Sequence, residues 1–373
     1  MTNQKPVIFL ASGGTGGHIF PAKAVAQLLG KRGYRVLCVT DKRHSLFDEG
    51  VRAERIDVLP LSGGIIAFAK GLRGLLISLM QVRKLYLREQ PQLLVTFGGY
   101  TTFPTVMMAM WLGIPIIVHE QNSVLGKMNR LIASVAKVIA VAYDMGARLP
   151  PQFQGKVALV GNPVREEIKA MQHSPFPHTD SNGVLRILVI GGSQGARILS
   201  NVVPQAIAQL EVADKKRIYV EQQCRPEDVE RVTHMYAHMN VAATVTHFFQ
   251  DMGMRLDKAH LVIGRAGASF LAELTLIGRA AILVPFAKAS HNHQLENAKI
   301  LQKKQAAIVI EEHDFTPETL AEHIRQCIRN KKTLEDMAKQ AATLGIADAD
   351  QRLADLVESE LEKRMKTLES DKG

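Results

Sequence analysis

The 373-residue sequence predicts an α/β protein with two doubly wound, Rossmann-like domains that face each other across a cleft. The chain is too long for one ordinary core and suits two such domains. Each half opens with a short apolar strand, a glycine-rich turn and an amphipathic helix. Residues 173–183, rich in Pro, Asn, Ser and Asp, separate the halves and are typical of a linker.

The first half alternates short apolar runs with amphipathic stretches, which indicates a parallel sheet covered by helices on both faces. The predicted strands are Val7–Ala11, Arg35–Thr40, Leu93–Phe97, Ile114–His119 and Lys137–Val141. The predicted helices lie near Ile19–Arg32, Leu72–Arg88 and Phe103–Trp111.

The second half repeats this pattern. Its predicted strands are Leu185–Ile190, Arg217–Glu221, Ala243–Thr246, Leu261–Ile263, Ala281–Val284 and Ala306–Ile310. Its predicted helices are Ala196–Leu210, Pro317–Arg329 and Asp348–Leu368. We therefore place an N-terminal domain over residues 1–163 and a C-terminal domain over 164–344, and expect the helix within 345–373 to pack back on the N-terminal domain.

The composition limits the partners and the compartment. A formal net charge of +10 favours anionic partners, namely nucleic acid, an anionic membrane surface or phosphorylated small molecules. Nucleic acid is disfavoured because Lys and Arg are scattered and aromatic residues make up only 5%. Three widely spaced cysteines, no signal-peptide pattern and no long uncharged apolar run predict a cytoplasmic protein that can touch a membrane.

Glycine-rich turns follow the first strand of each half, at Gly13–Gly17 and Gly191–Gly195. Glycine lets the backbone approach a phosphate, and the following helix supplies N–H groups and a positive dipole end. A nicotinamide-dependent dehydrogenase is the main rival interpretation, although neither turn contains G-x-G-x-x-G. Asp41 lies where a ribose-binding acid would, but an acid there is also a common helix cap, so this alternative stays open.

Two polar positions are candidates for acid–base chemistry. His18 follows the first glycine turn, where a neutral imidazole could take a proton from a substrate hydroxyl; a role limited to hydrogen-bonding the loop is equally open. Residues His119–Asn122 place four hydrogen-bonding side chains at a strand end. Within them Glu120 is a second candidate acid–base or hydroxyl-binding group.

Two later segments could bind phosphate and ribose. Arg165, after the rigid turn Gly161–Val164, offers a planar fork that suits a phosphate, unless it is a surface side chain. Residues 264–269 form a third strand-to-helix turn, and Glu273 behind it could bind both ribose hydroxyls. Favourable placement in the helix dipole is an equal alternative for Glu273.

Neither candidate metal motif is convincing. His291 and His293 form H-x-H, but no third ligand follows at a fixed spacing. Asp348 and Asp350 precede a charged helix, so N-capping explains them better. We expect no bound metal and no cofactor.

An apolar stretch with flanking basic residues, Ser62–Arg88, is a candidate membrane contact. Much of it must be a helix that faces the core. An apolar, glycine-rich loop at Gly63–Phe68, beside Lys70 and Arg73, would also suit an anionic bilayer.

These motifs, in this order, resemble one bacterial family, the undecaprenyldiphospho-muramoylpentapeptide β-N-acetylglucosaminyltransferases of glycosyltransferase family 28. The segments that carry the resemblance are Gly13–His18, Gly98–Tyr100, His119–Asn122, Gly161–Arg165, Gly191–Arg197, Phe248–Met252, Arg265–Glu273 and Pro285–Ala298. The resemblance implies a GT-B fold whose N-terminal half binds the lipid-linked muramoyl-pentapeptide. The C-terminal half would bind UDP-N-acetylglucosamine.

The resemblance also implies roles for individual residues. It places Thr15, Gly16 and Gly17 at a diphosphate of donor or acceptor, Asn122 at the N-acetylglucosamine, and Arg165 and Ser193 at the donor diphosphate. It places the Phe249 backbone at the uracil and Gln294 at the nucleotide or sugar. At the phosphate and ribose it places Ala268, Ser269, Phe270, Leu271, Ala272 and Glu273.

The implied chemistry is a single inverting displacement, with His18 as the leading base, Glu120 as the other candidate and no metal. The implied location is the cytoplasmic face of the inner membrane, in contact with anionic lipid and open to a complex with other cell-wall enzymes. Two segments depart from the family: Ala266 replaces a common Ser, and residues 287–293 differ in composition. The second departure weakens the assignment of Gln294. Another UDP-sugar transferase of the same fold remains an alternative.

Overall fold

The computed structural model describes residues 5–13, 16–41, 51–58, 65–146, 149–172, 174–178, 183–192, 195–289 and 292–370, without the side chains of 65–70, 72 and 368. By its contacts the chain divides into two compact units. The first unit comprises residues 1–165 and 348–373, and the second comprises residues 166–347.

The first unit contains a seven-stranded parallel sheet in the order β3-β2-β1-β4-β5-β6-β7. Its strands are β1 (Val7–Ala11), β2 (Arg35–Asp41), β3 (Ala53–Ile56), β4 (Leu93–Thr96), β5 (Ile116–Glu120), β6 (Val138–Val141) and β7 (Val157–Leu159). Strands β1, β4 and β5 are buried throughout because helices cover both faces of the sheet.

The helices of the first unit are α1 (Gly16–Lys31), α2 (Ile65–Glu89), α3 (Phe103–Trp111) and α4 (Lys127–Ile132), with α14 (Ala349–Ser370) from the end of the chain. Two apolar clusters pack on opposite faces of the sheet. Four residues of α14 belong to the cluster that also contains the buried face of α1: Leu353, Ala354, Val357 and Leu361.

The second unit contains a six-stranded parallel sheet in the order β10-β9-β8-β11-β12-β13. Its strands are β8 (Leu185–Ile190), β9 (Ile218–Gln223), β10 (Ala242–Thr246), β11 (Leu261–Gly264), β12 (Ala280–Leu283) and β13 (Ala307–Val309). Its helices are α5 (Glu166–Lys169), α6 (Arg197–Ala208), α7 (Val212–Lys215), α8 (Val229–His238), α9 (Met252–Lys258), α10 (Ala268–Ile277), α11 (His293–Lys303), α12 (Pro317–Arg329) and α13 (Lys331–Ala342).

Both sheets reverse their strand order once, between β1 and β4 in the first unit and between β8 and β11 in the second. At such a switch point the loops diverge and leave a crevice at the carboxyl ends of the strands, which is where ligands bind in open α/β sheets. The two glycine turns predicted from the sequence follow β1 and β8, so each turn lies at the switch point of its own sheet.

Several details differ from the sequence prediction. Strands β3 and β7 were not predicted, nor were α4, α5, α7, α8, α9, α11 and α13. Helix α2 begins at Ile65 rather than Leu72, so the expectation of a loop through Phe68 is wrong from Ile65 onward, and residues 63–64 lie outside the described residues. The boundary between the units follows Arg165 rather than Pro163.

Candidate active site

The first glycine turn is closely packed against the loop after β4. A Cβ atom on Gly13 would lie 1.6 Å from Thr101 Oγ1, so this position has no room for a side chain. Gly98 and Gly99 have φ angles of +85° and +89°, and a Cβ on Gly99 would lie 3.1 Å from the carbonyl oxygen of Gly13. Glycine at these positions therefore lets two loops meet at the switch point.

His18 lies in the first turn of α1 and is in contact with the end of β5. Its Nδ1 is 3.0 Å from Oε1 of Gln121, a residue 103 positions away in the sequence. The amide nitrogen of Gln121 in turn donates to the carbonyl oxygens of Phe97 and His119, at 3.0 and 3.2 Å. The polar strand end predicted after β5 therefore contacts the predicted base.

His119 continues this network into the core. Its Nδ1 is 3.0 Å from the amide nitrogen of Gln121, and its Nε2 is 3.0 Å from the carbonyl oxygen of Gly161. The side chain is completely buried beside Phe97, with 5.3 Å between the ring centres. Burial lowers the pKa of His119 to about 4, so the ring is neutral near pH 7.

Glu120, the second candidate acid–base group, has a structural role in this arrangement. Oε1 accepts from the backbone and side-chain nitrogens of Asn122, at 2.9 and 3.0 Å. Oε2 accepts from the Gly126 backbone at 2.8 Å and the Asn129 side chain at 2.9 Å. Both oxygens are therefore occupied in a residue that is 1% exposed. The carboxylate holds the β5–α4 loop, and the geometry favours His18 over Glu120 as the base.

Four other predicted residues of the first unit that the structure describes lie around the same switch point. Gly16 and Gly17 are the first two residues of α1, and Asn122 is held by Glu120. Arg165 stacks over Phe20 of α1, with 4.9 Å from its guanidinium carbon to the ring centre, and belongs to the first unit rather than the second. Thr15 lies outside the described residues.

In the second unit, the glycine turn after β8 is equally compact. A Cβ on Gly191 would lie 2.4 Å from the backbone nitrogen of Ala196, and Gly195 has a φ of +68° and packs against Arg225. Ser193, which the family resemblance places at the diphosphate, lies outside the described residues.

Helix α10 follows the neighbouring strand β11 and begins after Gly267, whose extended backbone provides no side-chain cap. Backbone N–H groups of the first turn of a helix have no intrahelical partner and attract anions. Ala268 is nearly buried, while Ser269, Phe270 and Ala272 are partly exposed. This geometry suits a phosphate at the start of α10.

Leu271 offers little to a ligand in this segment. Its side chain is completely buried, and its backbone N–H bonds to the Gly267 carbonyl at 2.9 Å. Glu273 is 5% exposed and lies beyond the first turn of α10. Because the helix dipole acts mainly within the first turn, dipole placement does not explain this carboxylate.

The ring of Phe249, a residue expected at the uracil, packs against the guanidinium of Arg255. The guanidinium carbon lies 4.2 Å from the ring centre, and Arg255 also pairs with Asp251 and Glu221. The Phe249 side chain is buried, so only its backbone can meet a ligand.

Gln294 is the second residue of α11, and its Oε1 accepts from the Phe286 backbone at 2.9 Å. Phe286 also lies under the guanidinium of Arg265, which donates to the Val284 carbonyl at 3.0 Å. Gln294 therefore fixes the loop after β12, and its amide NH₂ is the end that can donate to a ligand.

Sequence reasoning gave no role to Gln121 or Arg255. Gln121 was visible within the run His119–Asn122, but its contact with His18 depends on two strand ends that are distant in the sequence. Arg255 lies one helical turn after Asp251, a spacing typical of a surface ion pair. Neither pattern indicated a role at the site.

Among the described residues, no three His, Cys, Asp or Glu side chains are grouped as metal ligands would be. Over the same part of the chain, no helix has the length and apolar character required to cross a bilayer.

Two doubly wound units with a glycine turn at each switch point are typical of nucleotide-using α/β enzymes. Two family models match the chain: the N-terminal domain of glycosyltransferase family 28 over residues 8–141 and its C-terminal domain over residues 186–353. The chain therefore belongs to glycosyltransferase family 28 and is a glycosyltransferase. This family match excludes the alternative of a nicotinamide-dependent dehydrogenase.

Relatives match over nearly the full length. A Zymomonas mobilis protein is 41% identical and covers 94% of this chain and 91% of its own length. A Sphingopyxis alaskensis protein is 43% identical, with 94% and 90% covered. Both are named UDP-N-acetylglucosamine–N-acetylmuramyl-(pentapeptide) pyrophosphoryl-undecaprenol N-acetylglucosamine transferase. Among solved structures, Acinetobacter baumannii MurG is 29% identical, with a TM-score of 0.75 and coverage of 95% of this chain and 99% of that one. The predicted GT-B fold class is confirmed.

Proposed function

We propose that this glycosyltransferase moves N-acetylglucosamine from UDP-N-acetylglucosamine to the C4 hydroxyl of undecaprenyl-diphosphate-muramoyl-pentapeptide. The observation that carries the proposal is the match to relatives of that name, at 41–43% identity over 94% of this chain. The contact between His18 and the end of β5 supports it, because it places an imidazole at the switch point of the first sheet.

The proposed chemistry is one displacement with inversion at the anomeric carbon. The C4 oxygen forms the new bond to that carbon while its proton passes to His18. The bond from the anomeric carbon to the UDP oxygen breaks, and its electron pair leaves with UDP. The N-terminus of α1 favours this role for His18, because the dipole end of a helix disfavours imidazolium and keeps the ring neutral.

We assign the UDP part of the donor to the second unit. The phosphates would bind at the start of α10, at Ala268–Phe270, where N–H groups supply positive charge without a metal. Glu273 would accept from the ribose hydroxyls, and the Phe249 backbone would meet the uracil. Gln294 would donate through its amide NH₂.

We assign the remaining groups to the first unit. Gly16 and Gly17 would meet a diphosphate at the start of α1, and Arg165 would add its guanidinium charge. Asn122 would bind the N-acetylglucosamine, positioned by the two hydrogen bonds from its backbone and side chain to Glu120.

The test is UDP release from purified enzyme supplied with both substrates and EDTA. We expect release that depends on the muramoyl lipid, continues in EDTA and is fastest with UDP-N-acetylglucosamine among UDP-sugars. His18→Ala should lower turnover by about 10²–10⁴-fold, whereas the exposed control His234→Ala should not. No acceptor-dependent release would refute the reaction, and loss in EDTA would refute the metal-free mechanism. A preference for another UDP-sugar would identify a different donor.

We also propose that the first unit docks on the cytoplasmic face of an anionic membrane through α2 and α3. Exposed apolar side chains lie on both helices, at Leu76, Met80, Leu87, Met107, Met110 and Trp111. Exposed basic residues of α2 accompany them, including Arg73, Arg83 and Lys84. Apolar side chains bordered by cations suit the headgroup region of an anionic bilayer. Buried thiols at Cys38, Cys224 and Cys327 suit the reducing cytoplasm.

The single tryptophan gives a direct test of this surface. Trp111 is 69% exposed, so its fluorescence should shift to the blue when the protein binds vesicles that contain anionic lipid. Met110→Glu should weaken sedimentation with these vesicles. Val212→Glu, at a position 70% exposed in the second unit, should leave it unchanged. Unshifted fluorescence with bound protein would place the contact elsewhere.

A further inference from the structure

The side chains behind His18 form a continuous hydrogen-bonded series from the helix into the core. It runs from His18 Nδ1 to Gln121 Oε1, from Gln121 Nε2 to His119 Nδ1, and from His119 Nε2 to the carbonyl oxygen of Gly161, with 3.0 Å at every step. The last member is a backbone carbonyl, which can only accept. Because this carbonyl cannot donate, it determines which atom is the donor in each of the other hydrogen bonds of the series.

His119 is the first step. Because the Gly161 carbonyl only accepts, Nε2 of His119 must carry the proton. The ring is neutral, since burial lowers its pKa to about 4, so Nδ1 is left as an acceptor. The ring cannot turn to exchange the two nitrogens, because it is completely buried against Phe97.

Gln121 is the second step. Its amide nitrogen faces three acceptors, namely the carbonyl oxygens of Phe97 and His119 and the acceptor nitrogen of the His119 ring. The NH₂ group must therefore lie on this side, and the amide oxygen must face His18. At 2% exposure the side chain is held in this orientation.

We infer that Gln121 and His119 are positioning residues that hold His18 as the Nδ1–H tautomer and so make Nε2 its basic nitrogen. The amide oxygen of Gln121 can only accept, so Nδ1 of a neutral His18 donates to it. This inference rests on the proposed function of His18 as the base. A base with its proton on the wrong nitrogen cannot accept the hydroxyl proton until it changes tautomer.

The conformation of Gly161 belongs to the same arrangement. Its φ is +89°, a left-handed backbone that a side chain would strain, and its N–H bonds to the Val141 carbonyl at 3.2 Å. This conformation directs the Gly161 carbonyl at His119. The glycine that the sequence indicated as a rigid turn thus anchors the hydrogen bonds that end at His18.

The first test is the tautomer itself, read from ¹⁵N NMR shifts of the full chain labelled at histidine. At neutral pH we expect His18 protonated on Nδ1 and His119 protonated on Nε2. A wild-type His18 protonated on Nε2 would overturn the inference. This reading needs no substrate, so it is independent of the proposed reaction.

The second test uses variants of Gln121. Gln121→Met keeps the side-chain volume but removes all four side-chain hydrogen bonds of Gln121, including the one to His18. His18 should then lose its tautomer preference, and kcat should fall by about 10–100-fold with little change in KM. Gln121→Glu keeps an acceptor for Nδ1–H, and because its other oxygen faces three acceptors its carboxyl should be held protonated, with the O–H donating to them. This variant should therefore restore the Nδ1–H tautomer and part of kcat. A Gln121→Met enzyme with wild-type kcat and tautomer would overturn the inference.

Gln222→Met is the matched control, because Gln222 is also completely buried but lies in the second unit. It should alter stability and leave the His18 tautomer unchanged. His18→Gln separates the two proposals. Full turnover in His18→Gln would remove His18 as the base, whereas an inactive His18→Gln with an unaffected Gln121→Met would refute only the positioning role.

Discussion

Gly13 is a residue whose identity is fixed by one neighbour. The Thr101 side chain occupies the position where a Cβ would be, at 1.6 Å from Oγ1 and 2.8 Å from Cβ. Gly30, in α1, is the opposite case, because a Cβ there would meet nothing within 4 Å. The first glycine lets two loops meet beside the proposed base, and the second only adds backbone freedom to a helix.

Gly13→Ala should therefore destabilise the first unit by about 1–3 kcal/mol, because one of the two loops must move. Gly30→Ala should stabilise the same unit by about 0.4–1 kcal/mol, since alanine loses less backbone entropy in a helix. Denaturant unfolding measures both changes. In a Thr101→Ala background the cost of Gly13→Ala should shrink but not vanish, and equal costs in the two backgrounds would exclude this contact as the cause.

Residue patterns identified the proposed base but not the groups that orient it. His18 could be predicted because it follows a glycine turn at a strand end. Glu120 was an equally visible polar residue, yet its role depends on four N–H groups, two of them from Gly126 and Asn129 in a following loop and helix. Hydrogen-bond partners of this kind are set by the tertiary structure, so the local sequence does not determine them.

At the level of elements, α14 belongs to the first unit, although the whole second unit lies between them in the sequence. Leu353 and Val357 are completely buried in the cluster that contains the inner face of α1. Arg32, the residue after α1, also pairs with Asp355 and Glu358 at 2.6 and 2.7 Å. The apolar contact should dominate, because exposed ion pairs contribute little.

Leu353→Ala should lower the free energy of unfolding of the first unit by about 2–5 kcal/mol and leave the second unit unaffected. Hydrogen exchange distinguishes the two units. Amides of β1 and β4, in the first unit, should exchange faster, while those of β8 and β11, in the second unit, should not. Lys363→Ala, on the exposed side of the same helix, is the control. Faster exchange in both units would contradict the assignment of α14 to the first.

The helices and strands that were predicted correctly carry clear local sequence signals. Helices α3 and α12 were predicted with their observed bounds, since each has a proline in its first turn. Strand β3 (Ala-Glu-Arg-Ile) was missed because it is half-exposed and carries two charges, unlike a buried parallel strand. The start of α2 was placed seven residues late, because its apolar residues next to glycines suggested a loop.

Across the whole molecule, the described residues of each unit include one buried histidine whose pKa is about 4. Burial is the main cause for both His119 and His260. His260 accepts from the Arg186 backbone at 3.0 Å, and the Arg186 charge also lowers its pKa. Both rings are neutral in the folded protein at a pH where an unfolded histidine, with a pKa near 6.5, begins to bind a proton.

Both units should therefore lose stability as the pH falls from about 6.5 to about 4, because the unfolded chain binds more protons in that range. His119 alone should contribute roughly 3 kcal/mol across the range, and below it the loss should stop. Denaturant midpoints measured through this range test the effect. His260→Asn keeps an acceptor for Arg186 but cannot titrate, so it should flatten the pH dependence of the second unit alone.

The return of α14 to the first unit also sets an order of events during synthesis. Domains generally fold as units while the chain emerges from the ribosome, N-terminal part first. Here the buried face of α1 packs against Leu353 and Val357, which are synthesised after the whole second unit. The first unit, most of which is translated first, therefore completes its core only after the second unit has been made. Until then the apolar residues of α1 that α14 covers remain exposed to chaperones and to aggregation.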